Sequence, residues 1–125
     1  MQKISILTLT VIAAGVLAAE RFVTASGAYP TARAGALGVT HTSAAAAGAA
    51  VPVGVLGTEV ITAGGGFAKD ASLAVGASGK AVAAEAGDVI VGRAMSASTG
   101  DGARVEILLI PNATPASGSL IATTG

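Results

Sequence analysis

The sequence has no cysteine and no tryptophan, and its aromatic content of 2% amounts to two phenylalanines and one tyrosine. Without cysteine there is no disulfide, no thiolate ligand and no thiol nucleophile, so a small disulfide-stapled scaffold is excluded while the redox compartment stays open. Charge is scarce as well: charged residues make up 11% of the chain, and seven basic side chains balance seven acidic ones. No cluster of Lys and Arg is present to neutralise a phosphate backbone, and no aromatic platform is present to stack bases. That excludes a nucleic-acid binder. Low charge also weakens self-repulsion, which suits dense packing beside copies of the same chain.

Apolar residues are abundant at 52%, but much of that share is alanine, and the chain adds 18 glycines. Small side chains bury little area each, at roughly 25 cal/mol per Å². The valines, isoleucines and leucines must therefore carry the core of what is, at 125 residues, a single domain. Burial against another subunit or a larger partner would add to a core this thin.

The N-terminal region reads in two ways. Lys3, the apolar run from Ile4 to Leu17 and the small residues around Ala18 have the outline of a secretory signal. On that reading the chain is a secreted or surface β-protein of a bacterium. Ser5, Thr8 and Thr10 interrupt the run, however. Ile4-Ser5-Ile6 followed by Leu7-Thr8-Leu9-Thr10-Val11 alternates with one phase slip, as in a bulged strand. Glu20 and Arg21 close the run short of the ~20 residues that span a bilayer. The strand reading is preferred, with Met1 to Val11 ordered and extended, because leaving it free would expose a sticky patch.

Period-2 segments bounded by glycine or proline place strands at about 4–11, 20–25, 36–40, 50–56, 58–63, 71–75, 79–84, 88–97 and 103–110. Many short strands with regular turns predict an all-β fold, a small antiparallel β-barrel or sandwich. Residues 42–50 are open between a short helix and a loop. The clearest element is a hairpin over 87–109, with its turn at Gly100-Asp101-Gly102. On its second strand Val105, Ile107 and Leu109 face the core, and Arg104, Glu106 and Leu108 face outward. The domain is read as residues 1–110. From Pro111 a Pro- and Ser-punctuated tail, 111–125, carries the apolar pair Leu120-Ile121.

Chemical motifs are sparse. His41 is the only histidine and has no nearby His or Cys in sequence, and the next acid is Glu59. It reads as an exposed or hydrogen-bonded residue at a strand end, whose replacement by alanine would leave the stability of an assembled particle within a small margin. Gly79-Lys80 lacks the flanking residues of a phosphate loop, since positions 74 and 81 are alanine. Gly64-Gly65-Gly66 lacks the third spaced glycine of a dinucleotide fingerprint. Asp88 and Asp101 sit in turns where a carboxylate satisfies backbone N–H groups. Arg104 with Glu106 reads as a surface pair. No catalytic, cofactor or metal site is expected, and the chain is not expected to be an enzyme.

One resemblance runs through most of the chain. Ile6 to Val11 leads to Glu20-Arg21-Phe22-Val23-Thr24, then Ala36 to Thr40, then Val51 to Gly57. Gly65-Gly66-Phe67-Ala68-Lys69-Asp70-Ala71-Ser72-Leu73, Gly79 to Val82, Val91 to Ala94 and Gly100 through Leu109 follow in order. Over roughly residues 5–110 this resembles the small capsid cement, or head-decoration, proteins of tailed bacteriophages. The resemblance implies a β-barrel-like domain on the outer surface of the phage head, part of the virion. There it would clamp neighbouring subunits of the major capsid protein as a homotrimer or dimer, with no enzymatic activity, cofactor, nucleic acid or membrane involved. The long N-terminal segment and the tail after Pro111 depart from the family pattern, and each is either a docking arm or inert. The contacts to the capsid or between subunits are expected at Gln2, Lys3, Ile4, Ser5, Ile6, Leu108, Leu120 and Ile121.

Overall fold

The computed structural model describes residues 3–113. Eight strands follow one another: β1 (Ser5–Ile12), β2 (Phe22–Val23), β3 (Gly38–Thr40), β4 (Ala50–Thr62), β5 (Ser72–Val75), β6 (Ala81–Ala83), β7 (Ile90–Ala94) and β8 (Arg104–Ala113). A single 3₁₀ turn, Ala77–Gly79, lies between β5 and β6. The strands form one sheet in the order β2-β3-β4-β8-β7-β5-β6, with β1 attached to β4. Every strand pair is antiparallel. A parallel bridge between Ala63, just past β4, and Ala81 of β6 brings the two ends of the β4-to-β6 path together. The sheet is thereby nearly closed into a barrel, which removes most of its free edges.

β4 organises the molecule. Its first half pairs with β1, and with β3 at Val53 and Gly54, while its second half, Thr58 to Thr62, pairs with β8. The sequence places a break at Gly57, but the strand runs through it. Gly57 has φ +105°, and a Cβ there would strike the carbonyl oxygen of Ile4. The pairing register with β1 slips around the same point, between Ser5 and Thr8. A bulge against β1 thus absorbs the glycine that reads as a stop.

Two clusters form the core. Phe22, Ile61, Leu73, Val75, Ile107 and their neighbours fill the closed part. Val11, Leu17, Val23, Val51 and Val53 form a second cluster where β1 crosses β4. Leu17 is buried and exchanges backbone hydrogen bonds with Ala44. The apolar run that resembles a signal is therefore built into the domain as β1 and the segment after it. Among the described residues no helix is long and apolar enough to cross a membrane.

The same bridge settles residues 42–50 as a loop. Ala44 N–H and C=O are committed to Leu17, and Gly48 N–H bonds to Ala13, so the bond from Gly48 N–H to Ala44 C=O that a helix would need is not made. The hairpin reading holds for the pairing of β7 with β8, and Val105, Ile107 and Leu109 are buried as the period requires. The connection is not a tight turn. Residues 95–103 leave the sheet, and Ser98 bridges Phe67 while its hydroxyl donates to Gly65 C=O at 2.8 Å. β8 also continues through Pro111 to Ala113, beyond the point where the composition turns polar.

Candidate docking surface

β1 has β4 as its only partner strand among the described residues. Its other edge offers backbone N–H and C=O groups to a newcomer. Its side chains are unusual for an edge. Edge strands are commonly blunted by charge or proline, yet no charged residue occurs between Lys3 and Glu20. Of the eight residues of β1 only Val11 is buried. Ile6 is 74% exposed, Ile12 58% and Ile4, just before the strand, 55%. Leu7, Leu9 and Val16 are exposed as well, and so is Leu56, the cross-strand neighbour of Leu7. The alternation explains why. Apolar residues occupy both parities of the strand, so neither face can be turned wholly inward, and the bulge at Leu7 shifts the phase without hiding either set.

The strand is held at its start. Thr58 Oγ1 accepts from Ile4 N–H at 2.9 Å, and Thr58 N–H donates to Ile4 C=O at 2.9 Å. Thr58 is in turn the cross-strand partner of Leu108, which is 41% exposed. Ile4 and Leu108 therefore flank one threonine, and Ser5 and Ile6 continue from it. Lys3 is exposed beside them. Gln2, Leu120 and Ile121 lie outside the described residues. The sequence reading covered Leu7 and Leu9 only within the segment Met1 to Val11 and did not single out Ile12, Val16 and Leu56, which share this exposed surface. The signal was there, since apolar residues on both faces of one strand cannot all be core.

Arg104 grips Glu20 with two parallel bonds, Nε to Oε1 at 2.8 Å and NH2 to Oε2 at 2.6 Å. That bidentate contact, with Lys3 adding a smaller attraction, holds the Glu20 carboxyl below its ordinary range. Asp88 accepts from Glu85 N–H at 2.8 Å and from Arg33, and both contacts lower its pKa.

The one acid–histidine contact lies inside. His41 Nε2 is 3.0 Å from Glu59 Oε1, and Glu59 is fully buried. Neither Glu59 oxygen has an aligned hydrogen bond. Gly54 makes the space: a side chain there would overlap the Glu59 carboxylate and His41. His41 is thus no isolated strand-end residue, because the fold sets it against the acid that β4 buries. Among the described residues no group of three or more His, Cys, Asp or Glu side chains is placed to hold a metal ion.

Comparison with known proteins agrees with this architecture. No curated protein matches the sequence. The fold is similar to the crystal structure of the head fiber gp8.5 N base of bacteriophage phi29, with a TM-score of 0.72 at 16% sequence identity, over 86% of this chain and 96% of that one. The family model for phage cement proteins matches residues 1–109. The chain belongs to the phage cement protein family.

Proposed function

We propose that this protein is a structural component of the phage head that binds its outer surface, bridges neighbouring subunits of the major capsid protein, and does so as a homotrimer. Membership of the cement family supports a head-associated structural role. The observation that carries the docking reading is β1, an uncharged strand with isoleucine and leucine exposed on both faces and an open edge. An apolar surface of this kind marks an interaction site, and an open edge admits main-chain pairing with a partner strand. Two partners suit its two sides, a capsid subunit and a second copy of the chain. The similar phi29 domain is named as the base of a head fiber, which supports attachment to a head.

The test uses heads assembled without the protein. Wild-type chain and the double variant Ile6→Asp/Ile12→Asp are added, and bound protein is measured after sedimentation. Both positions are exposed, so the variant folds, and its binding is expected to fall at least about tenfold, a loss of ~1.4 kcal/mol. Binding equal to wild type rejects β1 as the docking element.

A further inference from the structure

A second apolar surface adjoins β1. β3 leaves β4 after Gly54, and β8 joins β4 only from Thr58 onward. The fork between them is a groove of about 600 Å³. Its walls include Phe22, Leu37, Val55, Leu56, Val91 and Leu109, and no charged residue lines it. Leu56 is 39% exposed and is the cross-strand partner of Leu7 on β1. The groove therefore borders the exposed apolar surface of β1, and Leu56 belongs to both.

The groove is shaped for side chains and not for an added strand. Pro111 on its wall has no N–H to offer. Asn112 Oδ1 already accepts from Ala36 N–H at 2.9 Å, and a Cβ at Gly35 would lie 2.9 Å from the Asn112 side chain. What fits is a row of uncharged aliphatic side chains carried by another surface, because a charge brought against these walls would be buried without a partner.

We infer that the occupant is β1 of a second copy of this chain, which enters with its exposed isoleucines, Ile6 foremost. The contact rests on the homotrimer proposed for the head and names the two surfaces that close it. Three observations favour it. A closed ring of three needs two different surfaces on each chain, one for each neighbour. The described residues present two such apolar surfaces, an exposed strand with Ile6 74% open to solvent and a groove. Neither opposes the other with charge, since no charged residue occurs between Lys3 and Glu20 and none lines the groove. The two surfaces also meet at Leu56. In a threefold ring the faces that one chain turns to its two neighbours converge on the axis, so a shared border is what the ring requires.

The chain lacks cysteine, so single cysteines in the full chain report one contact each. Ile6→Cys is mixed in equal amounts with Ala25→Cys or Ala36→Cys, both on the groove wall. The control mixture pairs it with Ala97→Cys, on the exposed 95–103 connection. Each mixture is added to heads assembled without the protein, washed and mildly oxidised, and linked chains are identified by mass. Position 6 is expected to link to position 25 or 36 at least about tenfold faster than to position 97. Copies at each site are counted separately by cryo-electron microscopy of the same heads. Three copies with no link from position 6 to the groove leave the groove to a capsid subunit or to another part of the chain. That result overturns the inference while the trimer stands. Isolated copies end both. Links formed by Ile6→Cys with itself alone put β1 against β1 in a twofold contact and overturn the inference too. A second readout needs no disulfide. Leu56→Asp charges both surfaces at once and is expected to lower the protein retained on heads at least about tenfold. Retention equal to wild type rejects the shared border.

Discussion

β1 and β8 are both long strands rich in Ile, Leu and Val, and both flank β4, yet they do opposite work. β8 alternates. Val105, Ile107 and Leu109 enter the core, while Arg104 and Glu106 mark the other face. β1 does not alternate in charge at all, and it leaves Ile6, Leu7, Leu9 and Ile12 exposed. The difference shows what apolar content means at each place. In β8 it measures folding, because water is excluded from one face by the closed sheet. In β1 it exceeds what the domain itself can bury, and the excess is available to a partner.

Substitutions break the comparison at points of decreasing sensitivity. Val105→Asp buries an unpaired charge in the closed core and is expected to cost on the order of 4 kcal/mol in chemical denaturation. The same change at Ile6 of β1 is expected to shift stability by less than about 0.5 kcal/mol, since the site is open to water. Equal losses at the two positions would erase the distinction between the strands. Next comes His41→Ala, which leaves Glu59 buried without its neighbour. It is expected to cost roughly 1–3 kcal/mol, against a smaller loss for Glu59→Gln, which keeps the shape of the side chain beside His41. Gly57→Val tests the bulge that carries β1. With φ at +105°, a β-branched residue there is expected to cost about 1–3 kcal/mol or more and to loosen β1 first, seen as faster amide exchange at Leu7 and Thr8.

The smallest effect concerns the ion pair of Glu20 with Arg104. The Glu20 carboxyl is held low by Arg104, so the folded state binds a proton there less readily than the unfolded chain does. That contribution is present above the ordinary glutamate value of 4.5 and fades as pH falls through the lower folded value. Arg104→Ala is expected to make stability less dependent on pH in that acid window and to lower it at neutral pH by the same small amount, small because the Arg104 side chain is 61% exposed. A denaturation series from neutral to acid pH checks this. An unchanged acid profile would mean the contact contributes nothing.

How much of this is legible in the sequence follows from where each signal resides. The inward and outward faces of β8 could be read from Arg104 to Leu109 because polar and apolar side chains alternate there and a period of 2 admits one orientation, but its continuation to Ala113 could not, since Pro111 and Asn112 read as the start of a tail. The all-β class followed from glycine punctuation and short runs. Gly57 misled because a glycine that ends a strand and a glycine that forms a bulge have the same local sequence, and only the slipped register of β1 separates them. Ser98 was not legible as a bridge because its partner, Phe67, is distant in the chain. His41 and Glu59 were both visible as residues, but Gly54, which lets them meet, reads only as another small position. The exposed apolar surface of β1 was half legible. The run from Ile4 to Val11 was readable as a strand, while Leu56 joined that surface only through the pairing of β4 with β1.

The central claim is that the surplus apolar surface of β1 is covered on the phage head. Cryo-electron microscopy of heads decorated with the wild-type protein tests it most directly. The account predicts three copies around a local threefold, with Ile4, Ile6 and Ile12 in contact with the capsid shell or a neighbouring copy. Decorated heads on which β1 faces solvent along its whole length would contradict it.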